Sequence, residues 1–300
     1  MFKRFALLIL TNIAILVVMS TVIYLFGLNR WLDHNHIQYG TLFALSLVIG
    51  FTGSFISLAI SKWMAKMIYN IEVIETPRTE TEEWLVETVR RQAAKVGVAM
   101  PEVGIYDSPE VNAFATGPSR SNSLVAVSSG LLRVMARDEV EGVLAHEMTH
   151  VSNGDMVTMT LLQGILNTFV VFFSYLIGFA VDRALSNNRD EEDRGPGLGF
   201  LIGQIVSQIC LGILASLVVL AFSRYREYKA DAGSARIEGK ASMIAALKRL
   251  KQITEGDFIY DDRSPALNNF KINGKPGTTS LWADHPSLDD RIEALEKLTL

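Results

Sequence analysis

Glu139–Asp155 reads EVEGVLAHEMTHVSNGD, and the rest of the chain is interpreted outward from it. It contains His146-Glu147-Met148-Thr149-His150, an H-E-x-x-H pattern. Residues four apart on a helix lie one turn above each other, so both imidazoles project from one face toward one ion. Glu147, beside the first histidine, reaches a water on that ion as general base. The segment reads as a helix for independent reasons. Asp138 with Glu141 makes a capping box, and Val140, Val143, Leu144, Met148 and Val151 form a helical apolar stripe. Asn153-Gly154 tolerates the left-handed conformation that ends helices. The competing reading is a pair of exposed histidines on an amphipathic helix. With five histidines in the chain, composition alone gives the pattern on the order of once in two hundred such sequences.

The surroundings favour a membrane. Of 300 residues, 49% are hydrophobic, and the mean hydropathy of +0.24 is high for a soluble protein. Four apolar runs are long enough to span a bilayer: about 5–28, 39–60, 157–181 and 198–222. A signal peptide is the alternative for the first, but its apolar core would be shorter and followed by a cleavage site. Gly50, Gly53, Ser54 and Ser57 in the second allow close helix packing in lipid. Lys3, Arg4, Lys62, Lys66, Arg224, Arg226 and Lys229 all fall on one side of a four-span arrangement. The positive-inside rule therefore puts both termini and both soluble segments, 62–156 and 223–300, in the cytoplasm. His34 and His36 fall in the short outer loop 29–38, across the membrane from the motif. The net charge of -4 gives no reason to expect nucleic acid. The single cysteine, Cys210, lies in an apolar run, so any metal must use His and carboxylate ligands.

Within the first soluble segment, Thr79 and Glu82 make a capping box for a helix that stops near Gly97. Val103–Tyr106 and Leu124–Ser128 read as strands, and Val111–Gly117 as extended chain between them. In the second, Ser223–Glu238 and Lys240–Thr254 read as helices, 255–284 as a long loop, and a last helix starts at Pro286. A catalytic zinc site needs three protein ligands and leaves a fourth position for water. Glu227 is the best candidate for the third. Asp231, four residues on and on the same helical face, is then free to accept a hydrogen bond from a ligand imidazole. The competing reading is a solvated charged stretch at a membrane exit.

HEMTHVSNGD, REYKADAGSA, VNAFATG and HPSLDDRIEAL together resemble the HtpX family of membrane zinc metallopeptidases, which is related to the prenyl-protein (CAAX) endopeptidases. The resemblance spans the whole chain. It implies a mainly α membrane protein with four transmembrane helices and a cytoplasmic α+β zincin-like (gluzincin) domain formed by two separated segments. It implies one zinc ion per chain held by His146, His150 and Glu227, with Glu147 as base and Asp231 orienting a ligand. His285 or Arg291 is the implied donor to the oxyanion; local packing for His285 and a carboxylate clamp for Arg291 remain the alternatives. Asn112, Ala113, Phe114, Ala115 and Thr116 are implied to line the substrate cleft, the alternative being a buried strand. The expected protein is a multi-pass endopeptidase of the bacterial inner membrane, in the lipid bilayer. It would act in quality control on misfolded membrane proteins and cooperate with other membrane proteases. Processing of lipidated C-termini and a non-catalytic zinc-stabilised scaffold are the competing functions.

Overall fold

The computed structural model describes residues 38–185, 197–255 and 285–299. The expected first span, His34 and His36, and the loop after 255 up to 284 lie outside the described residues. The helices and strands run α1 (Tyr39–Tyr69), β1 (Glu72–Val73), α2 (Glu80–Val96), β2 (Glu102–Tyr106), β3 (Ala113–Ser119) and β4 (Asn122–Ser128). They continue with α3 (Ser129–Val134), α4 (Arg137–Asn153), α5 (Asp155–Leu185), α6 (Leu198–Glu238), α7 (Lys240–Glu255) and α8 (Leu288–Lys297). Among the described residues, α1, α5 and α6 are long and apolar enough to cross a membrane. The contacts divide the chain into two units, Met1–Phe55 with Thr160–Ser216 and Ile56–Met159 with Leu217–Leu300.

In the first unit, α1 and α5 approach so closely that a Cβ on Gly50 would sit 2.6 Å from the Thr168 backbone nitrogen. Gly50 and Ser54 face this contact, whereas Gly53 and Ser57 point outward, so only half of the expected small-residue set packs a helix. Leu42, Phe43, Phe172 and Leu176 fill the same seam. Asp182 accepts the Gly197 and Phe200 backbone N–H groups at 3.1 Å each, satisfying donors that the start of α6 leaves open. Leu201, Ile205, Ile209 and Ile213 on α6 are about half exposed, a face suited to lipid rather than water.

The second unit is built on a four-stranded sheet in the order β1-β2-β4-β3. β2 and β4 run parallel, while β1 and β3 are antiparallel edge strands. The period of two along β4 covers both faces. Val125 and Val127 join the main core with α2, α4, α7 and α8, and Leu124 and Ala126 join Tyr69, Tyr106 and Phe114 on the other side. Gly117 lies where the pairing of β3 with β4 shifts register between Thr116 and Ser119, and its φ of 142° and a virtual Cβ 2.3 Å from the Asn122 carbonyl oxygen leave room for glycine alone.

The start of α4 differs from expectation. Ala136 precedes the first helical residue, and its N–H is accepted by Glu139 at 2.8 Å. Asp138 and Glu141 therefore lie inside the helix, and Glu141 instead accepts from Trp84 on α2. The Thr79 cap forms, with the Glu82 N–H donating to its hydroxyl, but the Glu82 carboxylate reaches back one residue further, to the Arg78 N–H. Gly154 ends α4 in the left-handed region at φ 70°, and α5 begins at the next residue. Arg120 at the hairpin tip donates to the Asn153 carbonyl, satisfying one of the last open carbonyls of α4.

Candidate metal centre

α4 presents His146 and His150 from one face, and α6 brings Glu227 against them. The two Nε2 atoms are 3.1 Å apart, and each is 3.3 Å from a Glu227 carboxylate oxygen. A tetrahedral ion with bonds of about 2.0–2.1 Å holds its donors about 3.3 Å from one another, so the spacing fits a zinc-sized ion. Close approach of α6 depends on Gly233, where a Cβ would lie 2.3 Å from the Thr149 Cγ2.

The far side of each imidazole is taken by a carboxylate. His146 Nδ1 is 2.9 Å from Asp231 Oδ1, and His150 Nδ1 is 2.6 Å from Asp155 Oδ2. When both Nδ1 atoms carry the proton, both Nε2 lone pairs and the Glu227 carboxylate face one another in a buried space. Such an arrangement is repulsive unless positive charge sits among the three groups. The electrostatics agree. Burial opposes charging of His150, but the bond to Asp155 and the nearby Glu227 outweigh it and push the imidazole up to about 10. Burial likewise opposes charging of His146, and the bonds to Asp231 and Glu227 again win, raising it. Protons and a metal ion compete for the same space.

Glu147 is buried on the same helix. Burial raises its carboxyl above the usual carboxylate range, the His146 and His150 charges moderate the rise, and the Ala115 backbone N–H donates to it. Ala115 lies on β3, whose other edge pairs with β4, so the strand offers its free edge to the site. Asn112, Ala113, Phe114, Ala115 and Thr116 are all buried. Phe114 points into the aromatic cluster behind the sheet, and Ala113 and Ala115 join the main core.

Arg291 on α8 is fully buried. Its Nε donates to Asp231 Oδ2 at 2.8 Å and its Nη2 to Asp231 Oδ1 at 2.7 Å. Burial opposes its charge, yet the Asp231 carboxylate holds the guanidinium above its ordinary value. His285 Nδ1 lies 3.1 Å from Glu227 Oε2. His146, Glu147, His150, Glu227, Asp231, His285 and Arg291 thus meet within one unit, and of the β3 segment 112–116 it is Ala115 that touches Glu147. Asp155 is the one that sequence reasoning passed over, although it stands directly after the left-handed Gly154 that turns the chain back toward His150.

A helix-borne H-E-x-x-H motif with a carboxylate from a second helix in reach of both imidazoles defines a metallopeptidase site. The model of peptidase family M48 matches residues 79–299. Protease HtpX homolog of Methylacidiphilum infernorum is 61% identical over 300 residues, 99% of each chain. Protease HtpX of Alkalilimnicola ehrlichii is 52% identical over 303 residues, 98% of each. The crystal structure of S. mikatae Ste24p shares the fold at a TM-score of 0.60 and 18% identity, over 97% of this chain and 67% of that one. The chain belongs to peptidase family M48, among the HtpX proteases. It is a membrane metalloendopeptidase.

Two expectations arise here. Asp155→Asn should weaken zinc binding about 10–100-fold, because the group orienting His150 loses its charge; competition with a chromogenic chelator measures it. Unchanged affinity would reduce Asp155 to a helix-start residue. The second concerns the metal-free protein. His150 moves from 6.5 unfolded to about 10 folded, so its contribution to stability is fully present below pH 6.5 and is lost as pH rises through about 10. Chelator-treated protein should therefore melt progressively earlier across that window. Zinc-loaded protein, with His150 neutral and ligated, should not show that decline.

Proposed function

We propose that this chain is a zinc endopeptidase that hydrolyses peptide bonds of membrane proteins at the cytoplasmic face of the bacterial inner membrane, in the removal of misfolded substrates. We read it as four membrane spans with a zincin-like domain assembled from 62–156 and 223–300. The observation that carries the chemistry is the pair of Nε2 atoms 3.1 Å apart, each 3.3 Å from one oxygen of the Glu227 carboxylate, with each imidazole backed by its own carboxylate. His146, His150 and Glu227 would hold the ion. Zinc, when bound, acidifies a water toward neutral pH and polarises the scissile carbonyl.

The remaining steps belong to the side chains. Glu147 accepts the proton from the attacking water at its carboxylate and delivers it to the leaving amine. Its affinity for a proton, raised by burial, suits that exchange. His285, against the Glu227 carboxylate, is the donor for the developing oxyanion. Arg291 is committed to Asp231 and acts through it as a positioning residue. The substrate adds as a strand to the free edge of β3, where backbone hydrogen bonds give affinity without sequence selectivity, as degradation of diverse substrates requires.

The test is casein cleavage by detergent-purified protein with metal content measured alongside. Activity should vanish on chelation and return with zinc. Zinc near one per chain with no activity on casein would point to a narrow substrate or a scaffold. A reporter fused after Leu300 should report cytoplasm, and a signal from the opposite compartment would overturn the orientation.

A further inference from the structure

A cavity of about 840 Å³ lies in the second unit, and none of the metal donors lines it. α6 forms one wall with Tyr225, Lys229 and Arg236, which follow one another at helical spacing on the face turned from Glu227 and Asp231. Lys95 closes the cavity from α2, and no carboxylate lines it. Lys95 is held by the Ile237 carbonyl at 2.7 Å, and the Lys229 ammonium lies 4.6 Å from the centre of the Tyr225 ring. Arg236 is exposed and makes no hydrogen bond or ion pair among the described residues. Lys95 is neutralised by Glu238 at 3.6 Å, which leaves Lys229 and Arg236 as two cations on a cavity that no carboxylate lines.

Its place along α6 identifies the ligand. Tyr225, Tyr228 and Lys229 follow the charge-free run 198–222 by three to seven residues, about 5–10 Å along the helix axis. Those three residues stand at the depth of the lipid headgroup layer, where tyrosine rings and snorkelling lysines settle, and Arg236, about 10 Å further along the axis, lines the water-side end of the same cavity. Tyr225 and Tyr228 are 53% and 37% exposed, which is unfavourable in water but suited to this layer. We propose that the cavity binds the headgroup of an anionic phospholipid, its phosphate bonded by Lys229 and Arg236 and its glycerol against the two tyrosine rings. The site rests on charge, shape and position and is independent of the peptidase reading.

The experiment uses the full chain in nanodiscs of three parts phosphatidylcholine to one part phosphatidylglycerol, with retained lipid counted by native mass spectrometry. Wild type should keep one phosphatidylglycerol in preference to phosphatidylcholine. Lys229→Gln with Arg236→Gln should bind it about 30-fold more weakly, from about fivefold for each basic residue lost at an anionic surface. Lys229→Arg with Arg236→Lys should restore binding. Arg90→Gln with Lys248→Gln makes the same change in net charge outside the cavity and should bind as wild type. Equal loss in that control pair would reduce the effect to net charge and overturn the site. So would indifference to headgroup charge. Displacement of the lipid by millimolar inorganic phosphate would assign the cavity to a small anion instead.

Discussion

Glu147→Gln is expected to keep its zinc and lose peptide hydrolysis. The substitution preserves volume, and its amide oxygen still accepts the Ala115 N–H that holds the native carboxylate in place. What it removes is the capacity to take a proton. A positioned general base contributes about 10²–10⁴-fold. Because the proposed mechanism has one carboxylate both accept the proton and return it to the leaving amine, the loss should lie at the upper end. The decrease should fall on kcat, with KM nearly unchanged, since the group acts on the water rather than on ground-state contacts. Stability should not fall with activity. Burial raises the Glu147 carboxyl, so its charged form is disfavoured by folding, and neutral glutamine relieves that penalty above the carboxylate range. The variant should therefore melt at or above wild type. Casein turnover, metal content and a melting curve on one preparation give all three readouts. Substantial residual turnover at full zinc occupancy would remove Glu147 from the base role.

Most of the elements were legible because their signals are local. The alternation in β4 and the charge-free runs of α5 and α6 each lie within one stretch of sequence. So do the left-handed glycines at 97 and 154. The H-E-x-x-H spacing fixes the relation of His146 to His150 without any tertiary information. Edge strand β1 has only two residues, too few to show a period. The start of α4 was misjudged because Asp138 and Glu141 match a capping pattern. Trp84, 57 residues upstream, recruits Glu141, and Glu139 serves the helix start. Asp155 escaped notice for the opposite reason. It lies five residues from His150, too far for a helical partner, and only the turn at Gly154 brings it back. Arg291 left two roles open because nothing in its neighbourhood names Asp231, 60 residues away, as its partner.

That partnership sets the largest expected effect on stability. Asp231 Oδ1 lies 2.9 Å from His146 Nδ1 and accepts from Arg291 Nη2 at 2.7 Å, so one oxygen serves the metal site and the closing helix together. Both side chains are almost wholly buried. Arg291→Met fills much of the same volume but leaves the carboxylate without its cation. Breaking a buried pair from one side costs about 3–5 kcal/mol, because the remaining charge is desolvated and uncompensated. The thermal midpoint should fall on the order of 10 °C. Arg291→Lys should not restore it, since a single ammonium cannot reproduce two parallel bonds from a planar guanidinium. Arg291→Met combined with Asp231→Asn removes both charges and should recover much of the stability. The double variant should nevertheless keep a zinc affinity about 10–100-fold below wild type, because His146 no longer has a charged partner at Nδ1. Recovery of stability without recovery of affinity separates the two functions of Asp231. A single variant as stable and as tight for zinc as wild type would mean that the pair does neither. A double variant no more stable than the single would mean that Arg291 acts through packing alone.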